Sequence, residues 1–151
     1  MRRPPSTLTT AEKLRLDTQL CFALYATSLA MTKLYKPLLA PLGLTYPQYL
    51  VMLVLWEHDD RTVHELGELL QLDSGTLTPL LKRMETAGLV SRQRDAADER
   101  RVRILLSPAG AVLRERASSV PDAILCQAGM PIDDMAALRA QLHALREQLQ
   151  A

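Results

Sequence analysis

Cysteine is scarce in this sequence, and long apolar runs are absent from it. The 151 residues include two cysteines, Cys21 and Cys126, which are too few for the disulfide framework of a small secreted domain. No apolar run approaches the roughly 20 residues that a membrane-spanning helix needs. Residues 1–17 contain Arg2 and Arg3 but no apolar stretch, so no signal peptide is predicted. We therefore expect a cytoplasmic protein without membrane contact, whose thiols are either inert core groups or reactive.

An excess of charge and the motifs of common enzymes are also missing. Lys plus Arg number 18 and Asp plus Glu 17, a net charge of +1, so a nucleic-acid interface must be argued from where the charges lie. The sequence has no Gly-rich phosphate loop, nucleophile elbow or carboxylate dyad. His58, His64 and His143 are scattered, and His64 lacks the second histidine of a metalloprotease motif. We therefore expect no enzymatic activity, no metal and no cofactor.

The hydrophobic pattern predicts a mainly α-helical protein. Apolar residues recur at helical spacing over residues 9–34, and Pro37, Pro41 and Gly43 break that pattern. Periodicity and capping residues predict further helices over residues 46–57, 63–70, 74–87 and 107–127, and a last one after Pro131. Two short strands are predicted at residues 89–93 and 102–106, with a polar loop between them.

The third and fourth of these helices, followed by the two-stranded β hairpin, have the order of a winged helix-turn-helix. In such a motif the exposed residues of the second helix reach the DNA. The exposed face of residues 74–87 is expected to carry hydroxyls in its N-terminal half and cations after them, namely Ser74, Thr76, Thr78, Lys82 and Arg83. Hydroxyls contact bases or phosphates, and cations neutralise phosphates. Residues 82–103 hold seven basic and four acidic residues, a local surplus of +3 on an almost neutral chain.

The loop between the strands, residues 94–101, is the predicted wing. Arg100 near its tip is expected to enter a minor groove, whose negative potential attracts arginine, with Asp98 holding the guanidinium in place. Arg94 and Arg101 add positive charge to the same loop. The alternative is a solvated charged face with a wing that contacts protein. Helix order, turn position and charge placement agree with one another, which favours DNA binding.

Residues 72–110, LDSGTLTPLLKRMETAGLVSRQRDAADERRVRILLSPAG, strongly resemble the winged-helix core of the MarR family. The resemblance implies a single MarR-type domain over residues 1–151, with a winged helix-turn-helix lobe at 45–106. It also implies that helices at 9–34 and 107–150 form a dimerisation region. A member of this family is expected to be a transcriptional repressor that binds double-stranded operator DNA as a homodimer.

Three further stretches resemble the organic hydroperoxide regulators, the OhrR group of that family: residues 16–26 (LDTQLCFALYA), Tyr35, and residues 44–56 (LTYPQYLVMLVLW). The resemblance implies that Cys21 senses organic hydroperoxides, which act as inducers, and that Tyr35 and Tyr46 hydrogen-bond its thiolate from the partner subunit. As in the two-cysteine type, Cys126 would resolve the oxidised Cys21 into an intersubunit disulfide. Arg100 would be the minor-groove probe.

The residues support this chemistry apart from the resemblance. A thiolate attacks the O–O bond of a peroxide, and tyrosine hydroxyls stabilise it by donating hydrogen bonds to the charged form. Tyr25 follows Cys21 by one helical turn and can lie beside it. Tyr35 is fourteen residues from Cys21, about 21 Å along a straight helix, so it must act across a dimer or not at all. Phe22 and neighbouring leucines predict an apolar approach that favours alkyl, aryl or lipid hydroperoxides over hydrogen peroxide.

Other interpretations remain open at this point. Cys21 can be a buried small hydrophobe, as free cysteine often is, and Cys126 can simply pack. A MarR-type repressor released by a small apolar or phenolic ligand would be indifferent to thiol mutation. A metal-responsive regulator would need clustered ligands. A thiol peroxidase or a pure interaction module would leave the helix-turn-helix and the wing unexplained.

Overall fold

Helices make up most of the protein. The computed structural model describes residues 7–151, so expectations that fall on residues 1–6, including Arg2 and Arg3, lie outside it. Within that range the helices are α1 (Thr10–Lys13), α2 (Leu20–Leu39), α3 (Tyr46–Glu57), α4 (Val63–Leu70), α5 (Ser74–Thr86), α6 (Pro108–Ala117), α7 (Ser119–Ala128) and α8 (Ile132–Gln150). The strands are β1 (Arg61–Thr62), β2 (Val90–Arg94) and β3 (Val102–Leu106). This mainly helical fold with a small antiparallel sheet confirms the predicted fold class.

The prediction of one continuous helix over residues 9–34 is wrong, because the structure has two helices in this region. Helix α1 ends at Lys13, a single 3-10 turn occupies Leu16–Thr18, and α2 begins only at Leu20. The side-chain amide of Gln19 donates to the carbonyls of Lys13 (2.8 Å) and Arg15 (2.7 Å), which satisfies them outside a helical ladder.

The end of α2 also lies later than predicted. Pro37 is inside the helix, which continues to Leu39. The proline removes one helical hydrogen bond, but Leu39 is buried in the hydrophobic core and Leu38 packs against that core. The packing of these two leucines therefore holds the last turn of the helix in place.

The predicted helix over residues 107–127 is divided into α6 and α7 at Ser118. The Ser118 hydroxyl donates to the carbonyl of Glu115 (2.7 Å), a local bond that caps α6. Pro121 has no N–H, so it cannot donate to the carbonyl of Ala117 four residues earlier. These two features explain why a single apolar pattern folds as two helices.

The sheet has one strand more than the predicted hairpin. Strand β3 is central, with β2 and β1 antiparallel on either side of it. Strand β1 pairs Arg61 with Ile104 and Thr62 with Arg103. It is two residues long, too short to show the alternation that identifies a strand, and Thr62 also caps α4 by accepting from the Glu65 amide (3.1 Å).

The core joins the helix-turn-helix to the helices that follow it. Helix α3 packs against α2, α4, α5 and α6, and α2 packs against α7. The side chains that are almost completely buried include Leu39, Met52, Leu55, Leu66, Leu77, Leu81, Met84 and Ile104. This core holds α5 and the hairpin β2–β3 in one lobe, which positions the candidate site described below.

Helix α8 and the first half of α2 lie outside this core. Leu39 is the buried residue of α2, and α8 has none. Large apolar side chains therefore stand in solvent on both helices: Leu20, Phe22, Leu29, Leu138, Leu142 and Leu149. In residues 7–151 no single helix is long and apolar enough to cross a membrane; Leu20–Leu42 and Tyr46–Glu57 meet that criterion only as a pair, bent by 68°.

Candidate nucleic-acid interface and thiol site

Helix α5 presents a polar face away from the core. Asp73 caps its first turn, its Oδ1 accepting from the Thr76 amide at 2.7 Å, and this hydrogen bond lowers the pKa of Asp73. Leu77 and Leu81 fix the opposite face in the core. The residues predicted to meet DNA are accordingly outside: Ser74, Thr76, Lys82 and Arg83 are exposed and Thr78 is half-buried.

The tip of the wing is organised around one carboxylate. Asp98 Oδ1 accepts from the backbone amide of Arg100 (3.1 Å) and from its guanidinium Nε (3.2 Å). Arg101 Nε lies 3.8 Å from Asp98 Oδ2. The bonds from Arg100 hold the pKa of Asp98 below its usual value, so the carboxylate is ionised. The Arg100 side chain is 90% exposed, so it projects from the wing while its base is held as the sequence suggested.

Arg94 lies at the boundary between β2 and the wing loop. It ends β2, and its Nη1 donates to the carbonyl of Glu99 at 3.0 Å, across the wing loop. The residue is exposed and helps to close the loop that carries Arg100. A contact between Arg94 and DNA stays a prediction.

Three ion pairs that no sequence pattern indicated hold the wing in place on the lobe. Glu85 of α5 accepts from the amide (3.1 Å) and the guanidinium (3.3 Å) of Arg92 in β2. Arg103 of β3 bonds to Asp60, 43 residues earlier, and to Asp95. None of these pairs has a helical spacing that could reveal it, because each forms only when the sheet and helices pack together.

A cleft of about 250 Å³ separates the wing from the helix-turn-helix. Thr78 of α5 and His64 of α4 lie on one side of it, and Arg92, Arg100 and Arg101 lie on the other. The arrangement places the Thr78 hydroxyl of α5 and the cations of the wing on one surface. Such a surface matches the charge of a phosphate backbone.

Three of the four tyrosines, Tyr35, Tyr46 and Tyr49, form a cluster between α2 and α3. The ring centroids of Tyr35 and Tyr46 are 4.7 Å apart, those of Tyr35 and Tyr49 5.7 Å, and Tyr49 lies edge-on to Trp56 at 6.4 Å. Burial raises the pKa of all three phenols. They therefore remain protonated and able to donate hydrogen bonds at neutral pH.

A cavity of about 600 Å³ opens beside Tyr35 and Tyr46. Its walls come from α2, α3 and α8 and are largely apolar, with Leu24, Met31 and Leu142 among them. Its polar lining residues are Thr27, Ser28, Arg139, His143 and Arg146. The cavity has room for an organic molecule larger than hydrogen peroxide, and Leu24 lies one turn along α2 from Cys21.

The two thiols are exposed and free. Cys21 is the second residue of α2, and Cys126 lies near the end of α7. Because Tyr35 is on the same helix as Cys21, about 21 Å along its axis, one chain does not bring these two residues together. Tyr25 is one turn after Cys21 and is 64% exposed, away from the tyrosine cluster. The chain thus assembles Tyr35 with Tyr46 and leaves Cys21 apart from them.

The histidines are engaged separately. His64 faces Glu68 at 4.0 Å, and His143 faces Glu147 at 3.2 Å and contacts Arg146 at 2.8 Å. In the part of the chain that the structure describes, no three His, Cys, Asp or Glu side chains are grouped as metal ligands.

A capped helix with outward hydroxyls and cations, beside a hairpin that projects an arginine, defines the winged-helix class of DNA-binding transcriptional regulators. Residues 33–116 match the family model described as transcriptional regulator SarA/Rot. The protein belongs to this family of winged-helix regulators.

The full-length comparisons agree with this assignment. The chain is 51% identical over 138 residues to the organic hydroperoxide resistance transcriptional regulator of Bacillus subtilis (strain 168), covering 91% of this chain and 94% of the relative. Reduced AbfR of Staphylococcus epidermidis bound to DNA superposes with a TM-score of 0.77 at 36% identity, covering 95% and 100% of the two chains. Disulfide-formed AbfR gives 0.63 at 38% identity, covering 89% and 95%.

MarR is also a structural neighbour. A mutant MarR of E. coli in complex with operator DNA superposes with a TM-score of 0.76 at 25% identity, covering 83% of this chain and 92% of MarR. The predicted resemblance to MarR-type regulators is therefore confirmed, and the chain is a transcriptional regulator of this type.

Proposed function

We propose that this protein is a homodimeric repressor that binds operator DNA when reduced and leaves it when organic hydroperoxides oxidise Cys21. The observation that carries the proposal is that neither thiol belongs to the hydrophobic core of its own chain, so that both are free to react or to meet a second copy of the chain. This placement disfavours the alternative of cysteines that act as buried packing groups. The relative from Bacillus subtilis is a regulator of organic hydroperoxide resistance, and AbfR exists in reduced and disulfide forms.

A second copy of the chain is the natural partner for the uncovered helices. Large apolar side chains on α2 and α8, such as Leu20 and Leu138, are exposed in the single chain, and exposed apolar side chains grouped on one surface mark a protein interface. A symmetric dimer would cover the same face on both subunits. It would also allow Cys21 of one chain to approach Tyr35 and Tyr46 of the other.

The first chemical step is a two-electron oxidation of Cys21. Its thiolate attacks the terminal oxygen of the hydroperoxide; an S–O bond forms, the O–O bond breaks, and the alkoxide leaves and takes a proton as the alcohol. Cys21 becomes a sulfenic acid. The protonated phenols of Tyr35 and Tyr46 are suited to donate hydrogen bonds to a thiolate.

The second step joins the subunits. The thiolate of the partner's Cys126 attacks the sulfenic sulfur; an S–S bond forms, and hydroxide leaves and takes a proton as water. A disulfide holds its two Cα atoms about 5.5 Å apart, so thiols that start farther apart must draw their helices together. Release of DNA then requires that the oxidised state favour lobe positions that no longer fit the operator.

A non-reducing gel tests the proposal. Reduced protein treated with one equivalent of cumene hydroperoxide is expected to shift to a dithiothreitol-reversible band of twice the chain mass. Cys21→Ser and Cys126→Ser should each lose this band. After subunit exchange, an equimolar mixture of the two variants should regain it, because Cys21 of one chain meets Cys126 of the other. Wild-type thiols that stay free would contradict the proposal.

Turnover separates a sensor from a thiol peroxidase. With a thiol reductant in excess, the sensor should reduce one hydroperoxide per oxidation cycle and stay oxidised until it is slowly reduced. Rapid multiple turnover would favour the peroxidase. Loss of operator binding should accompany disulfide formation and return with dithiothreitol.

The cavity beside Tyr35 and Tyr46 favours a second candidate, a repressor released by a small apolar or phenolic ligand. At about 600 Å³ it falls within the size range of small-molecule sites. The Cys21→Ser/Cys126→Ser double variant distinguishes the two functions. Release of this variant from DNA by a phenolic acid, with no release of the wild type by hydroperoxide, would support the ligand-responsive function.

A further inference from the structure

Arg103 joins three separate segments of the winged lobe. Its Nε donates to Asp60 Oδ1 at 2.6 Å and its Nη2 to the Asp60 carbonyl at 3.1 Å. Its Nη1 donates to Asp95 Oδ2 at 3.2 Å. Asp60 belongs to the turn before β1, Arg103 lies in β3, and Asp95 begins the wing loop. A single guanidinium therefore connects the start of the helix-turn-helix to the base of the wing.

The turn on the Asp60 side is itself held rigidly. Asp60 adopts a left-handed conformation (φ 60°), which is uncommon for residues other than glycine. Asp59 Oδ1 accepts from the Asp60 amide (2.8 Å) and from the Leu106 amide of β3 (2.9 Å). Strand β1 then pairs with β3 directly after the turn. The turn is thus held in place by the sheet, and the bonds from Arg103 to Asp60 fix the position of the wing relative to it.

The bonds continue from Asp95 to the tip of the wing. Asp95 Oδ1 accepts from the Ala97 amide (2.8 Å), and the Asp95 amide donates to the Arg101 carbonyl (2.9 Å). The Arg101 amide donates to the carbonyl of Asp98 (2.9 Å), whose carboxylate holds Arg100. These contacts form one unbroken chain from Asp60 to Arg100.

We propose that Arg103 is a positioning residue for DNA binding, which acts through Asp60 and Asp95 to hold the wing arginine Arg100 at a set place relative to α5. The inference rests on the proposed DNA-binding function and adds a residue that does not itself need to touch DNA. The planar guanidinium fits this role because its donors are fixed in a fork, whereas a lysine offers one mobile ammonium. Without Arg103, the carboxylates of Asp60 and Asp95 lose their shared cation, and the wing loop loses its tie to the lobe.

A simpler explanation is that Arg103 affects DNA binding only through its positive charge. The electrostatic and the positioning explanations predict changes of opposite sign in the DNA affinity of Asp95→Asn. Asp95→Asn removes a negative charge near the DNA, so a purely electrostatic effect would tighten binding. If Asp95 instead transmits position, the same change weakens binding. Arg103→Lys keeps the positive charge, so it should be neutral under electrostatics and harmful under positioning.

The experiment measures affinity for a duplex that the wild-type protein has selected from a random DNA pool. Reduced wild type, Arg103→Lys, Asp95→Asn and Arg100→Ala are compared by fluorescence anisotropy over a range of salt. Arg114→Lys on α6 is the matched control, because it makes the same change away from the wing. We expect Arg103→Lys and Asp95→Asn each to weaken binding about tenfold, the size of effect expected for a lost groove contact. Unchanged thermal midpoints should show that the lobe remains folded.

A double variant, Arg103→Lys with Arg100→Ala, and a hydroxyl-radical footprint test whether Arg103 acts through Arg100. Arg103→Lys should weaken binding little further when Arg100 is already alanine, because it acts through that residue. Hydroxyl-radical protection of the minor groove at the wing should disappear in Arg103→Lys while protection by α5 persists. Two results would overturn this inference and leave the proposed function intact. One is that Asp95→Asn binds DNA at least as tightly as wild type, and the other is that the effects of Arg103→Lys and Arg100→Ala are fully additive. A wild type that selects no duplex would instead overturn the proposed function.

Discussion

Tyr35 and Tyr46 lie on different helices, yet their rings meet with centroids 4.7 Å apart. The turn between α2 and α3 brings them together: Leu42 and Leu44 are buried in it, and Gly43 takes a left-handed conformation (φ 68°). Both rings border the cavity beside α8. Two phenols are thus held side by side at a surface where their own chain provides no thiol.

Replacing either phenol should slow oxidation. In Tyr35→Phe or Tyr46→Phe, the Cys21 thiolate loses a donor, and a hydrogen bond to a charged group contributes about 1.5–3 kcal/mol. We expect cumene hydroperoxide to oxidise Cys21 about tenfold or more slowly, as measured by stopped-flow loss of thiol, while the reduced variant binds DNA normally. Tyr49→Phe, the same change in the same cluster but away from the cavity, is the control. Wild-type kinetics in Tyr35→Phe would exclude its role.

A charge placed on the uncovered face of α2 should dissociate the dimer. Leu20 is 59% exposed in the single chain, and burying a leucine stabilises by about 1.5–3 kcal/mol. Each substitution occurs twice in a symmetric dimer, so Leu20→Glu should raise the dimer dissociation constant about a hundredfold or more. Sedimentation velocity measures this. Leu69→Glu on α4, with a similar exposure of 56%, should remain dimeric; if both variants behave alike, α2 is not at the interface.

Gly110 should not tolerate a methyl group. Its carbonyl accepts from Trp56 Nε1 at 2.9 Å, and a Cβ there would collide with the backbone carbonyl of Leu89. Since the backbone must shift, we expect Gly110→Ala to lower the free energy of unfolding by about 3 kcal/mol, as measured by urea denaturation. At Gly75, a Cβ meets only Asp73 Oδ1 at 3.5 Å, so Gly75→Ala should stabilise the helix by about 0.5–1 kcal/mol. Equal effects at the two positions would refute this explanation.

Arg100→Ala should weaken DNA binding and its dependence on salt. An exposed arginine at the wing tip is positioned to release about one counterion. The negative slope of log affinity against log salt should therefore become shallower by about 1 when Arg100 is removed. Asp98→Ala should reproduce part of the loss, because the guanidinium then lacks its anchor. Arg114→Ala, a loss of equal charge on α6, is the control. An unchanged slope for Arg100→Ala would remove Arg100 from the interface.

Local signals identified the helix-turn-helix correctly. Thr45 and Thr62 stand directly before the helices predicted at 46–57 and 63–70, and the structure shows each accepting from the amide three residues later. The bounds of α3 and α4 agree with the predicted ones, and α5 ends one residue earlier than predicted. Caps and periodicity act within a few residues, so sequence alone contains the information that they need.

The positions at which α1 and α2 end were harder to predict, because they depend on contacts that caps and periodicity do not describe. The helix predicted over residues 9–34 fails because the Gln19 amide competes for the carbonyls of Lys13 and Arg15. Pro37 does not end α2 because Leu39, two residues later, is buried. In each case a contact that periodicity does not encode decides the outcome.

By itself, the sequence determined the helix-turn-helix and the hairpin, because these follow from local pattern, while its resemblance to a known family indicated the class of regulator and the candidate site residues. Only the tertiary structure decided which of them meet. It joined Arg103 to Asp60 across 43 residues and paired Tyr35 with Tyr46. Contacts between distant residues depend on how the whole chain packs, and no spacing along the sequence specifies them.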